Sequence, residues 1–320
     1  MGQLPSPPLA SLRLGVVGLG AVGVALVRGL ADAGARVWLV SRRSEAAAAL
    51  ERELATARVT TASSVREIAG EVDALLLCVS EVDLEGLAAE LAEVLEDRFP
   101  DQGAPIVLHT NGLYGTEPLA PLVAAGCACG RLHPLVSLPP VGLAGEAEGA
   151  GGRPPSPLLQ GVGFALGGDP EAYDLGARLA EGLGGVGFEL REDAAALYHA
   201  SASLLAGGTV ALFAAARRAL EETLADDEAS ADALARALFA SVARNLVRHG
   251  PEAALTGPAA RGAGDVVAKH MDALREVQPA LADVYRVLAE EALELALARG
   301  SIDALGARAV RAALDPNVDG

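Results

Sequence analysis

The fold of this chain is decided near its amino terminus by Gly15-Val16-Val17-Gly18-Leu19-Gly20-Ala21-Val22-Gly23. The stretch carries a G-x-G-x-x-G pattern at the point where an apolar strand passes into a helix. The first glycine permits a tight turn, the second lets backbone approach a diphosphate, and the third lets helix pack against strand. The amino terminus of the helix then stabilises the phosphate charge. The motif therefore predicts a dinucleotide-binding βα unit. Its predicted cofactor contacts are Gly18, Leu19, Gly20, Ala21, Val22 and Gly23.

Short apolar runs alternate with helical segments after this motif, which is the pattern of a parallel sheet covered by helices. The predicted strands are Leu12–Val17, Arg36–Val40, Arg58–Thr60, Ala74–Val79, Ile106–His109, Ala128–Leu132, Val162–Leu166 and Val186–Leu190. The later segments have helical period or composition, and the predicted helices there are Ala195–Leu220, Ala231–Val247, Asp265–Val277, Pro279–Ala298 and Asp303–Leu314. We expect an α/β fold: an N-terminal Rossmann-like parallel-sheet domain (1–191) containing a Pro/Gly-rich loop (138–157), followed by an all-α C-terminal domain (192–320).

The composition limits the possible partners. The 320 residues carry 25 basic and 42 acidic side chains, a formal net charge of −17, so nucleic acid and anionic membranes are repelled at long range. No uninterrupted apolar run reaches the roughly 18 residues of a membrane helix. The three cysteines and the lack of a leader pattern in residues 1–11 favour a reducing cytoplasm. We expect a cytoplasmic protein whose partner is a small molecule.

The end of the second predicted strand distinguishes the two nicotinamide cofactors. An NAD site usually offers an acid there to the ribose 2′-hydroxyl, whereas a 2′-phosphate requires cations. This chain reads Ser41-Arg42-Arg43, with no acid before Glu45. We therefore expect NADP(H), with Ser41, Arg42 and Arg43 around the 2′-phosphate. A solvated basic loop is the alternative.

Two further strand ends should border the cofactor. Val79 and Ser80 follow the fourth predicted strand, and Asn111 follows the fifth. Open parallel sheets bind ligands at the carboxyl ends of their strands, so we expect these three residues to line the nicotinamide ribose. Ordinary turns are the alternative. Cys127 and Cys129 lack two further ligands, and no metal site is expected.

Three later stretches are distinctive: Arg131-Leu132-His133-Pro134-Leu135, Leu197-Tyr198-His199-Ala200, and Leu255-Thr256-Gly257-Pro258 followed by Arg261. Together with the glycine loop they resemble the Rossmann-like oxidoreductases whose C-terminal part is domain of unknown function 2520. That architecture is similar to ketopantoate reductase, pyrroline-5-carboxylate reductase and the 6-phosphogluconate dehydrogenase superfamily. The resemblance runs from Gly15 to about Leu314. It implies NADP(H) in the N-terminal domain, an active site closed by the helical domain, and a homodimer formed through the helices.

Hydride transfer to a carbonyl or imine also requires a proton source. Histidine suits this role near neutral pH. His199, in an otherwise apolar helical stretch with Tyr198 beside it, is the first candidate, followed by His133 and His270. The alternative for each imidazole is a hydrogen-bonded histidine of the core.

The substrate also requires an anchor. Arg261 is the candidate for a carboxylate or other anion, because its guanidinium can bind a carboxylate through two hydrogen bonds. Thr256, in the preceding loop, would offer a hydroxyl beside it. A structural ion pair in an acidic protein is the alternative for Arg261.

These residues predict an NADPH-dependent oxidoreductase that reduces a small 2-oxo acid or related carbonyl, with ketopantoate as the leading substrate. The alternatives are an imine reductase, a deazaflavin-linked NADP oxidoreductase, and a non-catalytic module that senses NADP(H). One departure from the family pattern is visible. Many relatives have Ser-Asn about eight residues after the helix histidine, where this chain has Ala206-Gly207, so one polar substrate contact is missing or replaced.

Overall fold

The computed structural model describes residues 9–54, 58–96, 104–138, 158–224 and 227–315. The chain forms two compact units, Met1–Leu204 and Leu205–Gly320. This division falls later than the predicted domain limit at residues 191 and 192, which stays a prediction. Residues 139–157 of the predicted Pro/Gly-rich loop lie outside the described residues.

One eight-stranded sheet is the framework of the first unit. Its strands are β1 (Arg13–Val17), β2 (Arg36–Val40), β3 (Val59–Ala62), β4 (Ala74–Leu77), β5 (Ile106–His109), β6 (Cys129–Leu135), β7 (Gly163–Gly168) and β8 (Val186–Glu189). Their spatial order is β3-β2-β1-β4-β5-β6-β7-β8. The predicted α/β fold is therefore confirmed.

One pair of strands departs from the predicted parallel sheet. β6 and β7 run antiparallel, with Pro134 opposite Phe164, while every other neighbouring pair is parallel. An antiparallel pair needs no crossover helix between its strands, and the composition of 138–157 predicts none. The predicted parallel sheet therefore contains one antiparallel junction that the sequence did not predict.

Helices cover both faces of the sheet. They are α1 (Ala21–Asp32), α2 (Ser44–Glu53), α3 (Val65–Ile68), α4 (Glu81–Glu96), α5 (Ala120–Ala124), α6 (Pro170–Gly182) and α7 (Ala195–Ser203). Alternate residues of one strand serve opposite faces: Leu76 packs in the core that contains Leu26 of α1, whereas Leu75 and Leu77 pack in the core that contains Leu84 of α4. A strand buried on both faces reads as a continuous apolar run, which is why β4 is so apolar in the sequence.

The second unit is all-helical, as predicted. A π-helical turn (Leu204–Gly208) precedes α8 (Thr209–Thr223), and α9 (Glu228–Ala254), α10 (Gly264–Val277), α11 (Pro279–Ala298) and α12 (Ala304–Leu314) follow. The chain kinks within α9 at Gly250, whose φ is 76°. The core of the unit comes from α10 to α12 and includes Val267, Leu293 and Val310. By contrast, α8 and α9 together bury only Ala231 among their described residues.

One apolar stretch is long enough to cross a membrane. Glu192–Thr223 meets this criterion by length and composition, with a mean hydropathy of 1.4 in its most apolar window, and none of that window is buried. It does so through its average hydropathy, which is a different criterion from the uninterrupted apolar run that the sequence was expected to lack. Helices whose apolar side packs against another protein meet the same criteria.

Candidate active site

Two glycines of the motif, one in the loop after β1 and one in the first turn of α1, hold strand and helix together. Gly18 has a φ of 101°, and a Cβ there would lie 2.4 Å from the carbonyl oxygen of Cys78. A Cβ at Gly23 would lie 2.1 Å from the carbonyl oxygen of Gly18. Backbone therefore packs on backbone at both positions, which no other residue type permits.

Gly20 has the opposite surroundings. Apart from its own chain neighbours, no atom lies within 4 Å of the position that its Cβ would occupy, and the residue is exposed directly before the first turn of α1. The first backbone N–H groups of a helix have no partner within the helix and favour an anion. The open surface above Gly20 therefore fits a diphosphate, and the glycine loop passes this structural test of a dinucleotide site.

A groove of about 480 Å³ opens beside the glycine loop at the carboxyl ends of the strands. Four residues predicted from the sequence line it: Gly18, Ser41, Arg42 and Val79. Sequence analysis missed Ser63 and Ser64, which follow β3, and Asp83 of α4, all of which also line it. The two serines could have been predicted, because a pair of polar residues directly after a strand of a parallel sheet often faces a ligand. The groove is thus formed by four neighbouring strand ends.

The three residues predicted to bind a 2′-phosphate differ in their contacts. Arg42 lies in the groove, where its Nη2 is 3.2 Å from Oδ2 of Asp83. Arg43 donates to the backbone carbonyl of Leu19 at 3.3 Å, and its backbone N–H donates to Ser41 Oγ at 3.1 Å. Arg42 is therefore the basic side chain that faces the groove, while Arg43 ties this loop to the glycine loop.

The other predicted cofactor contacts lie at the same edge of the sheet. Leu19 is buried, and Ala21 and Val22 lie in the first turn of α1. Ser80 donates from its hydroxyl to Asp83. Asn111 uses its side-chain oxygen to accept the backbone N–H groups of Leu113 and Tyr114, and so shapes the loop after β5. These contacts give Ser80 and Asn111 local structural roles, and cofactor contact stays a prediction for both.

The loop after β5 is fixed by a buried histidine. His109 Nε2 lies 2.5 Å from the carbonyl oxygen of Gly115, and its Nδ1 accepts the backbone N–H of Asn111. A carbonyl can only accept, so the proton of the neutral ring is on Nε2 and both nitrogens are satisfied. Burial lowers the pKa of His109 to about 4, so the ring is neutral at physiological pH. The loop is therefore held in one conformation next to β6.

Three of the predicted catalytic residues meet in the first unit, although they come from different elements. His133 lies on β6, and Tyr198 and His199 lie on α7. The Nδ1 of His133 is 2.7 Å from the hydroxyl of Tyr198, with the two rings edge to face. The ring centroids of His133 and His199 are 6.5 Å apart. A Cβ at Gly112 would lie 2.9 Å from the ring of His133 and 3.0 Å from that of His199, so the backbone there touches both imidazoles.

Burial perturbs the proton affinities in this group. It lowers the pKa of His133 to about 4, and the nearby His199, Arg131 and His109 act in the same direction. Burial also raises the pKa of Tyr198 to about 12, while the positive charge of Arg131 opposes the rise. Tyr198 is therefore protonated and His133 neutral at physiological pH, which leaves the pair able to supply or hold a proton.

Arg131 brings a buried charge into this region. It is 1% exposed, and its guanidinium donates to the carbonyl oxygens of Tyr114 and Leu190. Arg131 was predicted only as part of a motif, with no role of its own. Its two hydrogen bonds join the loop after β5 to the segment that follows β8.

The remaining predicted residues belong to the second unit. Thr256 is exposed, and Arg261 ends a short 3₁₀ turn with an exposed side chain that has no carboxylate partner among the described residues of its own unit. His270 of α10 is also exposed, with its Nδ1 3.0 Å from the hydroxyl of Tyr285. Their roles stay predictions. Within the described parts of the chain, no group of three or more His, Cys, Asp or Glu is arranged to hold a metal ion.

Two family models match the chain: a Rossmann-like domain over residues 7–134 and the domain of unknown function DUF2520 over residues 162–292. This is a Rossmann-like protein with a DUF2520 domain. The DUF2520 domain begins at the amino-terminal end of β7, so it includes two strands of the sheet as well as helices. No curated protein matches the sequence of this DUF2520 protein.

Solved structures share its fold. A Bacteroides fragilis protein, provisionally named as an NADP oxidoreductase, is 17% identical, with 89% of this chain and 99% of that chain covered and a TM-score of 0.66. The imine reductase of Myxococcus stipitatus in complex with NADP⁺ is 15% identical, with 88% and 94% covered and a TM-score of 0.57. A 1-pyrroline-5-carboxylate reductase of Streptococcus pyogenes is 17% identical, with 89% and 98% covered and a TM-score of 0.52. At these identities the likeness establishes the fold of the DUF2520 protein.

Proposed function

We propose that this DUF2520 protein is an NADP(H)-dependent oxidoreductase that reduces a C=O or C=N bond of a small molecule. The observation that carries the proposal is the glycine loop, open above Gly20 and continuous with a groove that presents Ser41 and Arg42. The names of the structural neighbours support the same chemistry, since they include an imine reductase with bound NADP⁺ and a pyrroline-5-carboxylate reductase.

In this proposal the first unit binds the cofactor. The reduced nicotinamide supplies the hydride when it is bound. The start of α1 and the glycine loop would hold the diphosphate, and Ser41 and Arg42 the adenosine 2′-phosphate. His133, the partner of Tyr198, lies on β6 of the same sheet, three strand spacings from β1, or roughly 14 Å. A dinucleotide that runs along the carboxyl edge can span that separation.

Tyr198 is the proton donor in this proposal. The first candidate from the sequence was His199, but it is Tyr198 that makes the hydrogen bond to His133. When the neutral His133 ring carries its proton on Nδ1, it donates to the phenolic oxygen, and the Tyr198 hydrogen is then free to point at a substrate. The proton would pass from Tyr198 to the developing alkoxide or amine, and His133 would stabilise the phenolate that remains.

The substrate class is a small carbonyl or imine compound that carries a carboxylate. Arg261 and Thr256 of the second unit stay the predicted anchors of a substrate carboxylate. No observation favours ketopantoate over other oxo acids, and the neighbours named for imine and pyrroline-5-carboxylate reduction favour testing cyclic imines with equal weight.

The first experiment is a substrate screen with purified protein. We expect NADPH oxidation with at least one 2-oxo acid or cyclic imine, and a binding isotherm for NADPH in calorimetry. Replacing Arg42 by alanine should weaken NADPH binding far more than NADH binding, because NADH lacks the 2′-phosphate. Absence of binding for both dinucleotides would overturn the proposal. Turnover with a deazaflavin only, or cofactor binding with no turnover on any substrate, would instead support one of the alternatives.

We propose in addition that the protein forms a homodimer through α8 and α9. These helices leave large apolar side chains in water, among them Val210 (67% exposed), Leu238 (68%) and Val247 (87%). Large exposed apolar side chains concentrated on two helices favour an interface, and the net charge of −17 makes an anionic bilayer a poor occupant. Light scattering at micromolar protein should give twice the chain mass, and Leu238→Glu should reduce that mass. A monomeric wild type would contradict the proposal.

The predicted cytoplasmic location has support in the three cysteines, which are free thiols.

A further inference from the structure

An acidic residue shares the groove with the arginine that is expected to bind phosphate. Asp83 belongs to the first turn of α4, and its Oδ2 is 3.2 Å from Nη2 of Arg42. The same oxygen accepts the hydroxyl of Ser80 at 2.8 Å. Asp83 therefore links the loop after β2 to the loop after β4, across the part of the groove where Ser41 and Arg42 lie.

The charges that line the groove give the Arg42–Asp83 contact an effect on phosphate binding. Among the described residues, its lining contains one basic side chain, Arg42, and two acidic ones, Asp83 and Glu90. An incoming 2′-phosphate would compete with Asp83 for the Arg42 guanidinium and would also meet the carboxylate as a like charge. A 2′-hydroxyl would meet neither effect, because it carries no charge.

We propose that Asp83 determines cofactor specificity at this site, as an internal counter-anion that Arg42 must leave when a 2′-phosphate binds. The inference rests on the proposed NADP(H) function. It assigns to Asp83 a role opposite to that of Arg42: the arginine favours the phosphorylated cofactor, and the aspartate limits that preference. The Arg42 side chain is 87% exposed, so it is free to exchange one partner for another at small cost.

The decisive variant is Asp83→Asn, which keeps the side-chain shape and removes the charge. We expect about 5-fold tighter NADPH binding in calorimetry at low salt, from the lost competition and repulsion, and a change of less than about 2-fold for NADH. The fragment pair 2′,5′-ADP and 5′-ADP should repeat the difference without a nicotinamide ring. The gain for NADPH should shrink as salt rises, since the groove is open to solvent.

Two controls isolate the Arg42 contact from a general loss of negative charge. Glu90→Gln removes the other acid that lines the groove and should tighten NADPH less than Asp83→Asn does. In an Arg42→Ala background, Asp83→Asn should change NADPH affinity less, because Asp83 and the 2′-phosphate no longer compete for a guanidinium. Thermal unfolding of each variant confirms that folding is intact.

Unchanged or weaker NADPH binding by a folded Asp83→Asn protein would overturn the inference. A loss of NADH affinity with NADPH unaltered would also overturn it, because that result identifies Asp83 as a ribose ligand. If wild type binds neither dinucleotide, the proposed function fails and this inference fails with it. If wild type binds NADPH and only the Asp83 effect is absent, the proposed function survives.

Discussion

Two histidine–tyrosine pairs, one in each unit, have nearly the same local geometry. His133 and Tyr198 are joined at 2.7 Å with ring centroids 5.6 Å apart, and His270 and Tyr285 at 3.0 Å with centroids 5.8 Å apart. Both pairs meet edge to face, with interplanar angles of 88° and 76°. Distance and angle alone therefore do not distinguish them.

Their surroundings do distinguish them. The first pair is half-buried, with Arg131 and His199 close enough to shift the pKa of His133 downward. The second pair lies between α10 and α11, with His270 exposed to water. Charge and desolvation, rather than the hydrogen bond itself, make the first pair the candidate for chemistry. This difference is what the following predictions test.

The largest expected effect is on turnover. Tyr198→Phe should lower kcat by about 10²- to 10⁴-fold on the substrate found in the screen, because the variant lacks the proton donor. Tyr285→Phe, the matched change in the second pair, should leave kcat within about 3-fold of wild type. Steady-state kinetics give both values, and NADPH affinity should be retained in each. Equal kcat values for the two variants would remove Tyr198 from the mechanism.

The next effect is on stability as a function of pH. His133 has a folded pKa of about 4, below the ordinary value of roughly 6.5, so the unfolded chain binds more protons between these values. The contribution of neutral His133 is complete above about pH 6.5 and is lost as pH falls towards 4. Partial contact with water reduces the expected loss to about 2 kcal/mol.

Urea unfolding at several pH values checks this expectation against His133→Gln. Buried His109 titrates in both proteins, so its contribution cancels in the difference. The stability advantage of wild type over the variant should narrow as the pH is lowered from 7 to 4. A constant difference across that range would show that His133 is not held neutral by its surroundings.

The smallest effect concerns the hydrogen bonds themselves at pH 7. Removing the Tyr198 hydroxyl should cost about 1–2 kcal/mol in the free energy of unfolding, since the half-buried imidazole loses its partner. Removing the Tyr285 hydroxyl should cost about 0.5 kcal/mol, since water can replace it at exposed His270. Chemical denaturation of the two phenylalanine variants measures both. The reverse order would mean that burial does not separate the two pairs.

Much of the fold could be predicted because it follows from local pattern. The glycine spacing after β1 and the apolar runs of β4 and β5 place the strands within a few residues, and the helical period does the same for α10 and α11. The antiparallel junction of β6 with β7 has no such local signal. It depends on how a chain segment returns to the sheet edge, which composition leaves open.

The site was predicted less completely because its contacts join residues far apart in the chain. His133 and Tyr198 are separated by 65 residues, and Arg42 and Asp83 by 41. The sequence identified His133 and Tyr198 separately but ranked His199 first, since nothing in a linear pattern shows which side chain reaches the β6 ring. Asn111 was predicted as a ligand contact, whereas its side-chain oxygen is used within its own loop.

The backbone at Gly112 sets the width of the space beside the two imidazoles. Since an added methyl group would touch the rings of both His133 and His199, the gap on this side is bounded by a peptide group, which has no rotamers to adjust. In the proposed site, a longer substrate could not gain room on this side through a single side-chain exchange, and more room there would require a rebuilt loop after β5.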